Sequence, residues 1–237
     1  MNKGCLLFAH NGTLDYGSQA VLAARLAKKH LGVPVCIVTD IDTMNAMTDR
    51  FKGDLPFDQM VIVEKPKVNN FRKLNGIDGV IEFNNSNRSS AWDLTPYDRT
   101  LIIDTDFLIF SDKLNNYWDS PYDFLITPGM AELQEEFVKP TEHKVSETSV
   151  DLLWATNIMF TKNEETKLIF DLVSFIKQEY SYFSYLYEFL TEQYRNDFAF
   201  SIACHILSGH GMDPIHGTLP VPLFFIDTDE IIDIKED

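Results

Sequence analysis

"RTLIIDTDFLIF", residues 99–110, decides how this chain is read. Two carboxylates, Asp104 and Asp106, stand inside a run of aliphatic and aromatic residues. Leu101, Ile102 and Ile103 precede them; Phe107, Leu108, Ile109 and Phe110 follow. Unpaired charge is costly to take out of water, so each Asp needs a partner or an exit to solvent. A cation at the end of a strand would serve both. Residues two apart on an extended chain point to the same side, so the pair can share one hard divalent ion. Mn²⁺ or Mg²⁺ suits such oxygen ligands. An ion of this kind also binds phosphate oxygens, so the implied ligand is a nucleotide or another diphosphate.

Asp-X-Asp occurs three times, at Asp40/Asp42, Asp104/Asp106 and Asp227/Asp229. Only the middle copy is enclosed by apolar residues on both sides; the last reads as a solvated turn. Outward from it, the pattern is that of a parallel α/β sheet. "CLLFA" (5–9), "VPVCIVTD" (33–40), "QMVIVE" (59–64) and "YDFLITP" (122–128) read as strands, as does the segment around "TLIID", with "DFLIF" beyond it. "LLWATNIMFT" (152–161) is a further apolar segment, interrupted by Thr156 and Asn157. A turn-rich loop, "HNGTLDYG" (10–17), leads into a helix over 18–32 that Gly32 closes. A short helix is expected over roughly 87–95. Asn163 caps another, whose apolar face is Leu168, Ile169, Leu172, Val173, Ile176 and Tyr180. Residues 196–208 form one more, ended by Gly209, and 131–149 read as a polar loop or lid. Ligands of open α/β sheets collect at the carboxyl ends of strands, and Asp40, Asp104 and Asp106 all fall there.

The 237 residues read as one domain, without repeats or linkers. The formal charge of −16 gives no general attraction to nucleic acid or anionic membrane. It leaves room for a local basic patch near Arg72, Lys73 and Arg88. Cys5, Cys36 and Cys204 are odd in number, lie among apolar residues and match no zinc spacing, so they read as buried free thiols in a reducing compartment. No run is long enough for a membrane span, and "CLLFA" is too short for a signal peptide core. A soluble, cytoplasmic protein is expected.

Three reaction classes use a carboxylate pair of this kind. A haloacid-dehalogenase-type phosphohydrolase would take Asp104 as nucleophile, but it expects Thr or Val where Leu108 stands. A sugar nucleotidyltransferase expects a basic residue in a Gly-rich first loop, and "AHNGTLDYG" has no Arg or Lys. A metal-dependent glycosyltransferase expects the pair after a nucleotide-binding half of about 100 residues, as here. A non-catalytic nucleotide-sugar-binding protein is the alternative that is not an enzyme.

Longer stretches support the glycosyltransferase. "LLFAHNGTLDYGSQAVLAARLAKKHLGVPVCIVTD" (6–40) resembles the opening of GT-A glycosyltransferases related to glycogenin and the bacterial galactosyltransferases of family 8. "LTPYDRTLIIDTDFLIF" (94–110) resembles their approach to the Asp-X-Asp motif. "WATNIMFTKNEETKLIFD" (154–171) and "RNDFAFSIAC" (195–204) resemble later segments, in the same order. The resemblance implies a GT-A domain over 1–237, with a mixed, mostly parallel sheet, a nucleotide-binding half (1–110) and an acceptor-side half (111–237). It implies an enzyme that moves a sugar from a nucleotide-diphosphate sugar, most often UDP-linked, to an acceptor hydroxyl. Saccharide, protein and modified nucleic-acid base all stay open as acceptor, and so does inversion or retention.

Roles follow by position. Ala9, Asn11 and Tyr16 would hold the base and ribose, with Asp40 at the next strand end. Arg88 would contact the diphosphate. Asp104 and Asp106 would bind the metal around Thr105, with His216 as third ligand. The resemblance is weakest there, because Gly217 follows His216 at once and no Lys stands nearby. Asn157 and Asp197 would serve sugar and acceptor chemistry. His205 reads as core.

Overall fold

The computed structural model describes residues 1–65, 71–73, 80–82, 87–132, 144–189, 193–211, 214–219 and 223–225. The expected Asp227/Asp229 turn lies outside them, as do the side chains of Arg72 and Lys73 and most of the expected lid. The strands are β1 (Lys3–Ala9), β2 (Val35–Thr39), β3 (Gln59–Ile62), β4 (Phe71–Lys73), β5 (Val80–Glu82), β6 (Arg99–Ile103), β7 (Phe124–Thr127), β8 (Met130–Glu132), β9 (Trp154–Thr161), β10 (Gly217–Thr218) and β11 (Leu223–Phe225). The helices are α1 (Tyr16–Leu31), α2 (Ile41–Arg50), α3 (Ala91–Leu94), α4 (Glu164–Gln178), α5 (Tyr180–Leu186) and α6 (Asn196–Leu207).

Seven strands form one sheet in the order β10-β7-β9-β6-β1-β2-β3. All pairings are parallel except those of β9, which runs antiparallel between β6 and β7. Every residue of β2, β6 and β7 is buried, as befits strands covered on both faces. Alternation along β1 sends Leu6 and Phe8 into one core and Cys5, Leu7 and Ala9 into the other. On the second face α1 lies against the sheet through Ala20, Ala23, Ala24 and Ala27, all fully buried. On the first face α4 and α6 close over a knot of phenylalanines. Phe170 is its centre, 6.2 Å from Phe124, 4.7 Å from Phe160 and 5.6 Å from Phe200 between ring centroids.

Local chemistry sets the helix ends. The Asp15 side chain accepts from the Ser18 N–H to start α1, and Gly32 at φ 66° ends it. That left-handed conformation costs Gly little. Asn163 and Thr166 form a reciprocal capping box at α4. The expected helix over 87–95 is a 3₁₀ turn, Arg88–Ser90, running into α3. The three cysteines are free and buried.

Five local readings are corrected. Helix α1 begins at Tyr16, two residues early, because the cap is Asp15. Helix α2 has no counterpart in the sequence pattern: its buried face is only Thr43 and Met47, too thin for a periodic signal. "DFLIF" is no strand. The Phe107 N–H bonds back to the Asp104 carbonyl, and the turn leaves Leu108 and Phe110 exposed. Leu168 faces solvent, and Tyr180 opens α5 after a break at Glu179. His205 is only half-buried.

Phe170→Ala removes a ring that meets three others, and the expected loss is about 3–5 kcal/mol of unfolding free energy, measured by urea titration. A loss under about 1 kcal/mol would contradict the packing described. Burial also lowers the Lys177 ammonium from 10.5 to about 8. Between those values the unfolded chain binds the extra proton, so Lys177 adds stability as pH rises through that window. The stability difference between wild type and Lys177→Met should therefore move in favour of wild type from pH 7 to pH 9. A difference independent of pH would contradict this.

Candidate functional site

The carboxyl ends of β1, β2 and β6 lie side by side and bring Ala9, Thr39 and Asp104 to one edge of the sheet. The loop after β1 is shaped by Asn11. Its Oδ1 accepts from the Gly17 N–H at 2.8 Å, its Nδ2 donates to Asp15 at 3.2 Å, and its own N–H donates to Thr43 Oγ1 at 2.8 Å. Tyr16, at the start of α1, is buried. Gly17 sits against Met47, and a Cβ there would come within 2.7 Å of it. The loop is thus folded before any ligand arrives.

Asp40 caps α2 by accepting from the N–H and hydroxyl of Thr43 at 2.9 and 2.8 Å. It also meets His10 Nδ1 at 3.0 Å. Burial alone would raise the Asp40 carboxyl, but these hydrogen bonds hold it below the ordinary range. Burial lowers the His10 imidazole despite Asp40, and Lys65 lowers it further. An ionised carboxylate only accepts, so neutral His10 donates from Nδ1. Its Nε2 is buried without a hydrogen-bond partner among the described residues. Asp40 therefore supports the strand end and its neighbour, with both oxygens already accepting hydrogen bonds. An open cleft of about 500 Å³ runs beside it, lined by Asp40, Ile41, Asp42 and residues 62–65.

At the end of β6 the Asp104 N–H donates to the Thr156 carbonyl at 2.9 Å, which fixes the start of the turn. Thr105 is buried and donates to Gln19 of α1 at 3.1 Å. Asp106 is exposed and has no ion pair among the described residues. Asp104 pairs with Arg88. Arg88 is only 4% exposed, and it also donates to the Ala155 carbonyl. The Ala155 N–H in turn donates to Asp197 Oδ1 at 2.9 Å, and Asp197 Oδ2 meets Arg195 at 3.1 Å. One chain of contacts thus runs Asp104–Arg88–Ala155–Asp197–Arg195. Arg88 stands behind Asp104 and does not project into open solvent. Each Asp197 oxygen thus has one partner, the Ala155 N–H or the Arg195 guanidinium. Asn157, opposite Ile103, accepts from the Thr127 hydroxyl and is buried.

His216 is not brought to this site. The register sets Gly217 beside Leu125, Leu125 beside Met159 and Met159 beside Leu101, so His216 is level with residue 100, four residues short of Asp104. It is also three strands away. At about 4.8 Å per strand and 3.3 Å per residue, the separation is roughly 20 Å. Its Nδ1 faces the Gly217 carbonyl at 3.2 Å, and burial lowers its imidazole. Among the described residues no group of three metal-binding side chains converges anywhere. Asp104 and Asp106 stand in a turn and not on an extended strand, so the expected same-side alternation does not apply to them. Their oxygens are of the type a hard divalent ion takes, with Asp106 exposed and Asp104 already sharing its charge with Arg88.

His10, Gln19 and Arg195 join the site although the sequence reading assigns them no role. His10 directly follows the first strand, a position that could have flagged it. Gln19 and Arg195 carry no local signal.

No family model matches the sequence, and no curated protein does. Solved structures do. The chain is similar to an active-site mutant of LgtC, with a TM-score of 0.53 at 13% identity over 84% of this chain and 69% of that one. It is similar to mouse xyloside xylosyltransferase 1, with a TM-score of 0.54 at 9% identity over 92% of this chain and 85% of that one. A weaker likeness, TM-score 0.49 at 12% identity, is to the glycosyltransferase GlyE of Streptococcus pneumoniae TIGR4, of which this chain spans 45%. Among the described residues no helix is long and apolar enough to cross a membrane. The fold is therefore that of GT-A type glycosyltransferases, a mostly parallel seven-stranded sheet between helices with an Asp-X-Asp pair at its carboxyl edge.

Proposed function

We propose that this chain is a glycosyltransferase that moves a sugar from a nucleotide-diphosphate sugar, UDP-linked in this reading, to an acceptor hydroxyl. The observation that carries the proposal is the placement of Asp104 and Asp106. They end the strand beside β1, at the sheet edge where the preformed 10–17 loop and the cleft beyond Asp40 also lie. In this reading Ala9, Asn11 and Tyr16 form the wall for base and ribose, and the cleft takes part of the nucleotide. Asp104 and Asp106, flanking Thr105, hold Mn²⁺ or Mg²⁺, which when bound would neutralise charge on the diphosphate leaving group. Thr105 and Gln19 keep the turn against α1. Asn157 and Asp197 position the strand that borders the sugar. A phosphohydrolase with Asp104 as nucleophile is not favoured, because Arg88 already engages that carboxylate and the structural likenesses are to transferases.

Calorimetric titration with UDP, with and without Mn²⁺, tests the reading. Metal-dependent binding is expected for the wild-type chain, with at least a tenfold loss, about 1.4 kcal/mol, for Asp106→Ala. UDP binding unchanged by Mn²⁺ or by the substitution would sink the metal assignment. Release of phosphate from a simple monoester would revive the phosphohydrolase.

A further inference from the structure

We propose that Arg88 is a positioning residue and the resident counter-charge of Asp104, so that a divalent ion binds this site tightly only together with a diphosphate. The inference rests on the donor reading above and adds a control built into the chain. Arg88 lies almost wholly out of water, and the Asp104 side chain keeps 26% of its surface exposed. The guanidinium stays charged at any pH the fold tolerates. Among its contacts, one amino group meets Asp104 and the other the Ala155 carbonyl. A planar fork can hold both at fixed spacing, whereas a lysine is a single point charge.

The charge count follows. Asp104 and Asp106 supply two negative charges and Arg88 returns one. No further His, Cys, Asp or Glu converges on them among the described residues. His216, which would have supplied the third ligand, is far away. An approaching bare ion meets one net negative charge and a fixed cation beside the first carboxylate, which repels it. A diphosphate supplies the missing negative charge and oxygen ligands. The peptide of Ala155 extends the arrangement, because its N–H is held by Asp197. The same clamp that neutralises Asp104 thus also anchors β9 beside it.

The test is Mn²⁺ titration of the full chain, by calorimetry and by the free-ion electron paramagnetic resonance signal, with and without UDP. The proteins are wild type, Arg88→Met, Arg88→Gln and Arg88→Lys, each first matched to wild type by circular dichroism. Wild type should bind bare Mn²⁺ weakly and gain about a hundredfold or more in affinity with UDP. Arg88→Met and Arg88→Gln should tighten bare Mn²⁺ binding about tenfold and shrink that gain. Arg88→Lys should keep the bare affinity near wild type. Unchanged or weaker bare binding in both neutral variants would overturn the proposal, as would equal Mn²⁺ affinity with and without UDP in a wild-type chain that does bind UDP. Tighter bare binding in the neutral variants, with no UDP binding by any protein, would overturn the donor reading instead and leave Arg88 as the counter-charge.

Discussion

The buried guanidinium of Arg88 is the interaction on which the functional edge of this protein depends. An arginine taken out of water must be paired and fully hydrogen-bonded, or its burial destabilises the chain by several kcal/mol. Here it reaches a carboxylate from one strand end and a carbonyl from the neighbouring antiparallel strand. Removing Asp104 would take away the carboxylate that pairs with this buried charge. Asp104 is therefore a member of a structural network before it is a ligand, and only Asp106 is left wholly to solvent and to whatever binds there.

The rest of the fold brings that network to the right place. Strands buried on both faces need apolar residues throughout, so charge can appear only where they end. Asp40 and Asp104 both stand one residue past a strand. Each then has a second role. Asp40 starts a helix and orients His10, while Asp104 starts a turn and accepts Arg88. The alanine face of α1 allows that helix to lie close, which brings Gln19 to Thr105 and ties the first loop to the Asp-X-Asp turn.

Much of this was legible in the sequence, and the limits have physical causes. Runs such as 5–9 and 99–103 are largely apolar, and their spacing with a small-residue helix between strands gives the parallel sheet. Caps at Asn163 and Gly32 are local chemistry and were readable. Helix α2 was hidden because its strongest determinant is one capping Asp. The fate of "DFLIF" was hidden because composition cannot tell a strand from an apolar turn. Asp104 and Asp106 could be picked out because they break an apolar run. The partnership of Arg88 with Asp104 joins two separate elements, and no spacing rule encodes that. His216 fails for the same reason: only the strand order shows that it sits at the far side and level of the sheet.

The proposed function requires that the edge built by Asp104 and Asp106 receive a divalent ion and a nucleotide diphosphate together. Anomalous X-ray diffraction at the manganese edge, from crystals grown with UDP and Mn²⁺, tests it most directly. A single strong peak is expected in contact with Asp106, Asp104 and the diphosphate, with the Arg88 guanidinium still against Asp104. A peak at another place, or nucleotide bound at this edge with no metal beside it, would rule out joint binding of metal and diphosphate here.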